Sequence, residues 1–294
     1  MSKLSGIFPP IPTPFVGGEL APDKLAFNIA KWNETAIRGY VVFGSNGESV
    51  FLTRDEKVTL IESVKENAGP EKVIIAGTGS DSIKDTVSLT NEVADLGADY
   101  ALVVTPSYYK SEMNHDSFVM YFTMVADAVK IPVIVYNVPK FTGVDMEVET
   151  VAQLSEHRNI AGIKNSTENM RQLIEFVTNT PDDFSVIAGT ASVLYNGLIS
   201  GATGGIIALA NIAADDCVNI QKLVEAGKMP EALVLQERLI PVNKAITSQY
   251  GVAGLKAAMD MLGYFGGEPR APLMTLEDGV KENIRRILSR SDLL

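Results

Sequence analysis

Apolar and polar positions along this chain fall into a repeating two-part pattern. Short, mainly apolar runs sit at residues 6–11, 39–43, 72–76, 100–104, 132–136, 160–163, 184–188 and 203–209. Each is followed by a stretch with the apolar spacing of a helix. The segment 22–36 shows this helical half clearly: Pro22 stands at a tolerated early position, and Leu25, Ile29 and Trp32 share one face. Thr53-Arg-Asp-Glu56 is a capping box that opens a second helix over 53–67. Further helical stretches cover 82–96, 115–129, 148–155, 168–177 and 191–200, and another begins at 213.

Eight strand–helix units predict an α/β fold, a (β/α)8 TIM barrel. The strands lack polar alternation, as expected when helices cover a sheet or a barrel closes on itself. A doubly wound open sheet is the competing topology; it would have fewer units and one reversal point. After 213 no strand pattern returns. Segments 213–225, 229–248, 252–262 and 276–290 read as helices, and Pro241 is expected to kink or split the second of these. The expected organisation is a catalytic barrel over 1–225 and a C-terminal helical region over 226–294.

Composition narrows the function classes. The 294 residues carry a net charge of -11 and no basic run, which argues against a nucleic-acid partner. The one cysteine, Cys217, excludes an intrachain disulfide framework and reads as helix packing. No apolar stretch is long enough to cross a membrane, and none precedes Pro9 and Pro10 as a signal peptide would. A cytoplasmic location is expected. His115 and His157, the two histidines, lie away from the strand ends, so metal chemistry has little support. Asp145, Glu147 and Glu149 read as a solvated turn and helix start, and Glu48 as a structural residue bonding to the backbone of its turn.

The carboxyl ends of barrel strands share one face and form the active site. Gly44-Ser45-Asn46-Gly47, Thr105-Pro106, Tyr136-Asn137, Lys164, Gly189-Thr190 and Gly205-Ile206 converge there. Lys164 stands out, because an ammonium at the end of a buried strand is costly unless paired or deprotonated. Either it reaches water from an ordinary strand end, or its amine is reactive. A deprotonated lysine attacks a ketone and forms an imine, which withdraws electrons from a neighbouring C–C bond. Tyr136, one strand away, is placed to move the proton. The Ser45-Asn46 turn can present N–H groups to a carboxylate. It is neither a dinucleotide fingerprint nor a P-loop.

These motifs resemble the dihydrodipicolinate synthase / N-acetylneuraminate lyase family of class I, Schiff-base aldolases. The resemblance rests on Gly44-Ser-Asn-Gly-Glu-Ser49, Val104-Thr-Pro106 with Tyr108-Tyr109, Tyr136-Asn-Val-Pro139, Gly143, and Gly162-Ile-Lys164 with Ser166. It covers nearly the whole chain. It implies Lys164 as the Schiff-base lysine, Tyr136 as the proton carrier and Ser45 as a relay hydroxyl. It places Asn46 at the pyruvate carboxylate, and Gly189 and Ile206 on the pocket lining. Tyr108 or Tyr109 resembles a relay tyrosine lent by a neighbouring subunit, and the family implies a homotetramer or homodimer. No cofactor is implied, since the imine is the electron sink. The partners implied are a 2-oxo acid and an aldehyde.

One departure bears on the substrate. Lysine-pathway synthases carry an arginine where this chain has Phe141, and that arginine binds the carboxylate of the aldehyde. An aromatic ring has no such fork of donors, although Lys140 beside it carries a charge. The Ser-Asn pair, the Thr-Pro-x-Tyr-Tyr run and the segment Gly263-Tyr-Phe-Gly-Gly267 with Arg270-Ala-Pro look closer to the 4-hydroxy-2-oxoglutarate aldolase branch. Cleavage of a 4-hydroxy-2-oxo acid to pyruvate and an aldehyde is therefore the first expectation. Condensation of pyruvate with aspartate semialdehyde by a 4-hydroxy-tetrahydrodipicolinate synthase is the alternative, and a non-catalytic ligand-binding barrel is a third.

Overall fold

The computed structural model describes residues 3–294. At its centre lie eight parallel strands: β1 (Gly6–Phe8), β2 (Gly39–Val42), β3 (Val73–Gly77), β4 (Tyr100–Val104), β5 (Val133–Asn137), β6 (Ile160–Asn165), β7 (Ser185–Ala188) and β8 (Gly204–Ile206). They bond in the order β1-β8-β7-β6-β5-β4-β3-β2. The ends of that order meet: the Val41 N–H donates to Pro9 O and the Ile11 N–H to Val41 O, both at 2.9 Å. The sheet is thereby a closed (β/α)8 barrel, not a doubly wound sheet. The first strand is shorter than expected, because Pro9 and Pro10 have no N–H to continue the ladder. The eighth ends at Ile206, where the chain turns into a 3-10 segment, Ala208–Asn211.

Eight helices wrap the barrel: α1 (Pro22–Asn33), α2 (Arg54–Asn67), α3 (Ile83–Asp95), α4 (His115–Ala128), α5 (Val148–Ser155), α6 (Met170–Thr178), α7 (Leu194–Ile199) and α8 (Ala214–Glu225). Local chemistry starts them where the sequence does. Thr53 and Glu56 form the expected capping box on α2, and Ser82, Asn114 and Asn169 cap α3, α4 and α6. Beyond the barrel come α9 (Met229–Lys244), α10 (Gly251–Met261) and α11 (Asp278–Arg290). Pro241 does not break α9. Leu239 and Val242 are buried on either side of it, and their packing carries the helix past the missing hydrogen bond. The regular spacing fails only later, in a π turn over Ala245–Gln249. Among the described residues, no helix is long and apolar enough to cross a membrane.

Side chains alternate across the barrel wall. Ile134 and Tyr136 of β5 point inward and pack with Phe8, Val41, Leu102, Ile187 and Ile206. Val133 and Val135 face the helices with Phe122, Ile160 and Ile163. In β6 the alternation slips, because Ile160 and Ile163 both lie on the outer side. The register shows why. Val133 pairs with Ile160, but the next pair is Ile134 with Gly162, so Ala161 is an extra residue. A slip of one residue exchanges the faces of a strand. Downstream of it Lys164 pairs with Tyr136. Without the irregularity Lys164 would lie opposite Asn137, on the outer face.

Candidate active site

Tyr136 and Lys164 are neighbours on adjacent strands, and both are buried. The Lys164 Nζ lies 4.0 Å from the centre of the Tyr136 ring. The Tyr136 hydroxyl meets Ser45 Oγ at 3.3 Å. Three residues far apart in sequence thus share one point at the carboxyl end of the barrel. Burial alone would raise the Tyr136 phenol. The charge of Lys164 and hydrogen bonds from Ser45, Ser166 and Lys164 outweigh burial and hold it below its usual 10.0. A phenol made easier to ionise beside a lysine amine is suited to carrying protons.

Two buried asparagines hold this register from behind. Asn137 and Asn165 follow Tyr136 and Lys164 directly and are paired like them. The Asn137 Nδ2 donates to Asn165 Oδ1 at 3.0 Å and to Asp145 Oδ1 at 2.6 Å. Asn165 Nδ2 donates to Thr167 Oγ1 and Gln172 Oε1, and Gln172 Nε2 returns to Asp145 Oδ1. Sliding one strand past the other would orphan several buried polar atoms. Asp145 therefore belongs to a polar network and is more than the solvated turn residue expected from its acidic neighbours.

Ser45 and Asn46 occupy a one-turn 3-10 segment, Ser45–Gly47, after β2. Thr13 Oγ1 donates to Gly47 O at 2.6 Å and ties the turn to the start of the chain. Glu48, directly after the turn, at φ 57°, and Phe43, two residues before it, at φ 40°, both adopt a left-handed backbone uncommon outside glycine. Strain of this kind is tolerated where surrounding contacts enforce it, and it clusters at functional sites. On the far side, Ser166 Oγ donates to Gly189 O at 3.3 Å. A Cβ on Gly189 would lie 2.7 Å from Ser166 Cα and 2.8 Å from Asn165 O, backbone atoms that cannot turn aside, so glycine is required there. Ile206 is fully buried in the same inner layer as Tyr136.

The other expected residues lie further out. Tyr108 and Tyr109 are 79% and 69% exposed and pack edge to face on each other, so neither completes the Tyr136 cluster within one chain. Phe141 is exposed, in a one-turn helix over Pro139–Thr142. Lys140 sits 5.6 Å from its ring centre and donates to Thr247 O at 3.3 Å. His115 bonds Thr150 and Gln153 between two helices, and His157, in the turn before β6, bonds Asp127; both are away from the carboxyl ends of the strands. Cys217 is buried, and burial pushes its thiol well above the usual range. Glu48 departs from expectation. Its carboxylate is buried and reaches Lys256 and the backbone of Arg270, not its own turn.

A closed (β/α)8 barrel with a buried lysine and tyrosine at its carboxyl end is the architecture of a Schiff-base-forming carbon–carbon lyase. Comparison with known proteins agrees. The model of the dihydrodipicolinate synthetase family matches residues 3–291, and the chain belongs to that family. The 4-hydroxy-tetrahydrodipicolinate synthase of Methanothrix thermoacetophila is 35% identical over 291 residues, covering 98% of this chain and 97% of that one. The synthase of Methanopyrus kandleri is 31% identical over 295 residues, covering 99% and 98%. Among solved structures, dihydrodipicolinate synthase from Aquifex aeolicus superposes with a TM-score of 0.93 at 30% identity over 99% of both chains. A prophage protein of the family from E. coli K12, solved in complex with pyruvate, gives 0.92 at 27% identity, again over 99% of both. The chain's chemistry is the lysine Schiff-base, pyruvate-using aldol chemistry of this superfamily.

Proposed function

We propose that Lys164 forms the Schiff base, and that Tyr136 and Ser45 move the protons of a reversible aldol reaction between pyruvate and an aldehyde. The contact among these three side chains carries the reading. In the cleavage direction the Lys164 amine adds to the C2 ketone of a 4-hydroxy-2-oxo acid, and loss of water leaves a protonated imine. Tyr136 takes the C4 hydroxyl proton. The C3–C4 pair of electrons moves into the imine, and the aldehyde departs. The remaining enamine takes a proton at C3, supplied by Tyr136 through Ser45, and water releases pyruvate. Asn46 and the N–H groups of its turn hold the pyruvate carboxylate throughout. Condensation is the same path reversed. Tyr108 or Tyr109 acts at a second chain's site in a homotetramer or homodimer.

For the aldehyde, the sequence relatives favour aspartate semialdehyde over the first expectation, because the curated relatives at 31–35% identity along nearly the full chain are 4-hydroxy-tetrahydrodipicolinate synthases. Its aldol product with pyruvate is itself a 4-hydroxy-2-oxo acid. A second reading is favoured by Phe141, which offers no donors to a carboxylate. That reading is cleavage of 4-hydroxy-2-oxoglutarate or a 2-keto-3-deoxy sugar acid. The sugar acid fits best, since its neutral tail needs no cation. The test is kcat/KM measured side by side for pyruvate with aspartate semialdehyde and for cleavage of the two acids. A synthase shows at least tenfold preference for the semialdehyde. A preference of that size for either acid overturns the synthase reading. Phe141→Arg then raises kcat/KM for the semialdehyde alone if the missing fork limits it.

A further inference from the structure

Glu48 follows the Ser45–Gly47 turn directly and is 2% exposed. Its two oxygens have different partners, both from the C-terminal region. Oε1 faces the Lys256 Nζ at 2.6 Å, and Oε2 accepts the Arg270 N–H at 2.7 Å. Lys256, on α10, is fully buried. Its Nζ also donates to Glu268 O at 3.0 Å and lies 4.7 Å from the centre of the Phe15 ring. Arg270 stacks over the same ring at 4.2 Å and donates to Phe51 O and to both carboxylate oxygens of Glu56. Residues 48–56 are thus held at both ends by residues 256–270.

A buried ion pair is a poor way to obtain stability alone. Two charges must be stripped of water, and apolar residues of similar volume commonly hold a fold as well. Burial also pulls the Lys256 amine below its usual range, with Glu48 opposing that pull. What the pair supplies that apolar packing does not is direction. It fixes one carboxylate at one place, immediately after the strained turn that carries Ser45 and Asn46.

We propose that Glu48 and Lys256 are positioning residues, holding the Ser45-Asn46 turn in its substrate-binding shape, so that the C-terminal helices set half of the active site. The proposal rests on the reading of Ser45, Asn46 and Lys164 given above. The barrel alone does not complete the site: the anchor of the turn lies more than two hundred residues away in sequence and outside the strands.

The experiment uses the full chain. Wild type is first incubated with pyruvate and borohydride; failure to label Lys164 overturns the site reading and the positioning role with it. The Glu48→Gln/Lys256→Met double variant then removes both charges while keeping an acceptor for the Arg270 N–H. Labelled wild type, with a double variant whose melting temperature is close to wild type, whose KM for pyruvate is raised about tenfold and whose kcat is lowered, supports positioning. The same melting temperature with KM and kcat both within threefold of wild type overturns it while leaving the Lys164 chemistry intact. If the double variant fails to fold, Glu48→Asp decides. It keeps the charge and draws the carboxylate back by one carbon. Positioning gives a several-fold rise in KM for pyruvate, whereas a lowered melting temperature with unchanged KM overturns the role.

Discussion

Replacing Tyr136 by phenylalanine removes one oxygen and leaves the ring. The seat of the Lys164 Nζ, 4.0 Å from the ring centre, is kept. The contact at 3.3 Å with Ser45 Oγ is lost. A positioned acid–base group contributes about 10²–10⁴-fold to rate, or about 3–5 kcal/mol of barrier. Losing the hydrogen bond costs about 1 kcal/mol of stability. The variant therefore folds, binds pyruvate and is slow in turnover. Stopped assays of pyruvate release measure kcat, and thermal melting confirms the fold. The pH profile adds a second check. The phenol sits below its usual 10.0, so its basic form increases as pH rises through that lowered value. The step that takes the C4 proton gains rate over the same interval, and Tyr136→Phe lacks that rise. A kcat within threefold of wild type, or an unchanged profile, would refute the proton-carrying role.

Other substitutions test the surrounding parts. Asn46→Ala should raise KM for pyruvate by about tenfold, equivalent to about 1.4 kcal/mol, with a melting temperature near wild type; an unchanged KM removes Asn46 from the carboxylate site. Gly189→Ala drives a methyl into Ser166 and should lower both kcat and melting temperature; full activity would mean that Ser166 does not need its present place. The Arg270 hydrogen bond holds the Glu56 carboxyl down to about 2, against 4.5 for the free group. A depressed acid stabilises the fold above its unfolded value and ceases to do so as pH falls from about 4.5 to about 2. Glu56→Gln should flatten that part of the acid-stability curve, as followed by circular dichroism, and an identical curve would assign the acid loss to other groups.

Much of this architecture was legible because its signals are local. Eight mainly apolar runs mark eight strands, and Ser45, Tyr136, Lys164 and Gly189 stand at or just past the ends of four of them. Lys164 and Tyr136 could be placed at the ends of neighbouring strands from order alone. Their register could not. It depends on the extra residue Ala161, and Ile-Ala-Gly-Ile gives no sign of which residue slips. Asn137 and Asn165 directly follow Tyr136 and Lys164 in the sequence, but their shared network needs Asp145 and Gln172 brought in from two other segments. Glu48 and Lys256 illustrate the same limit over a longer separation, because nothing local to Glu48 points to a partner in a helix of the C-terminal region. Pro241 shows the reverse. A strong local signal for a break was overridden by Leu239 and Val242 packing inward on both sides.

The chemistry turns on one covalent bond. Reducing the protein with borohydride in the presence of pyruvate, followed by peptide mass mapping, reads that bond directly. The expected result is a single stable adduct of reduced pyruvate on Lys164. No adduct, or an adduct on another lysine with Lys164 unmodified, would contradict the assignment.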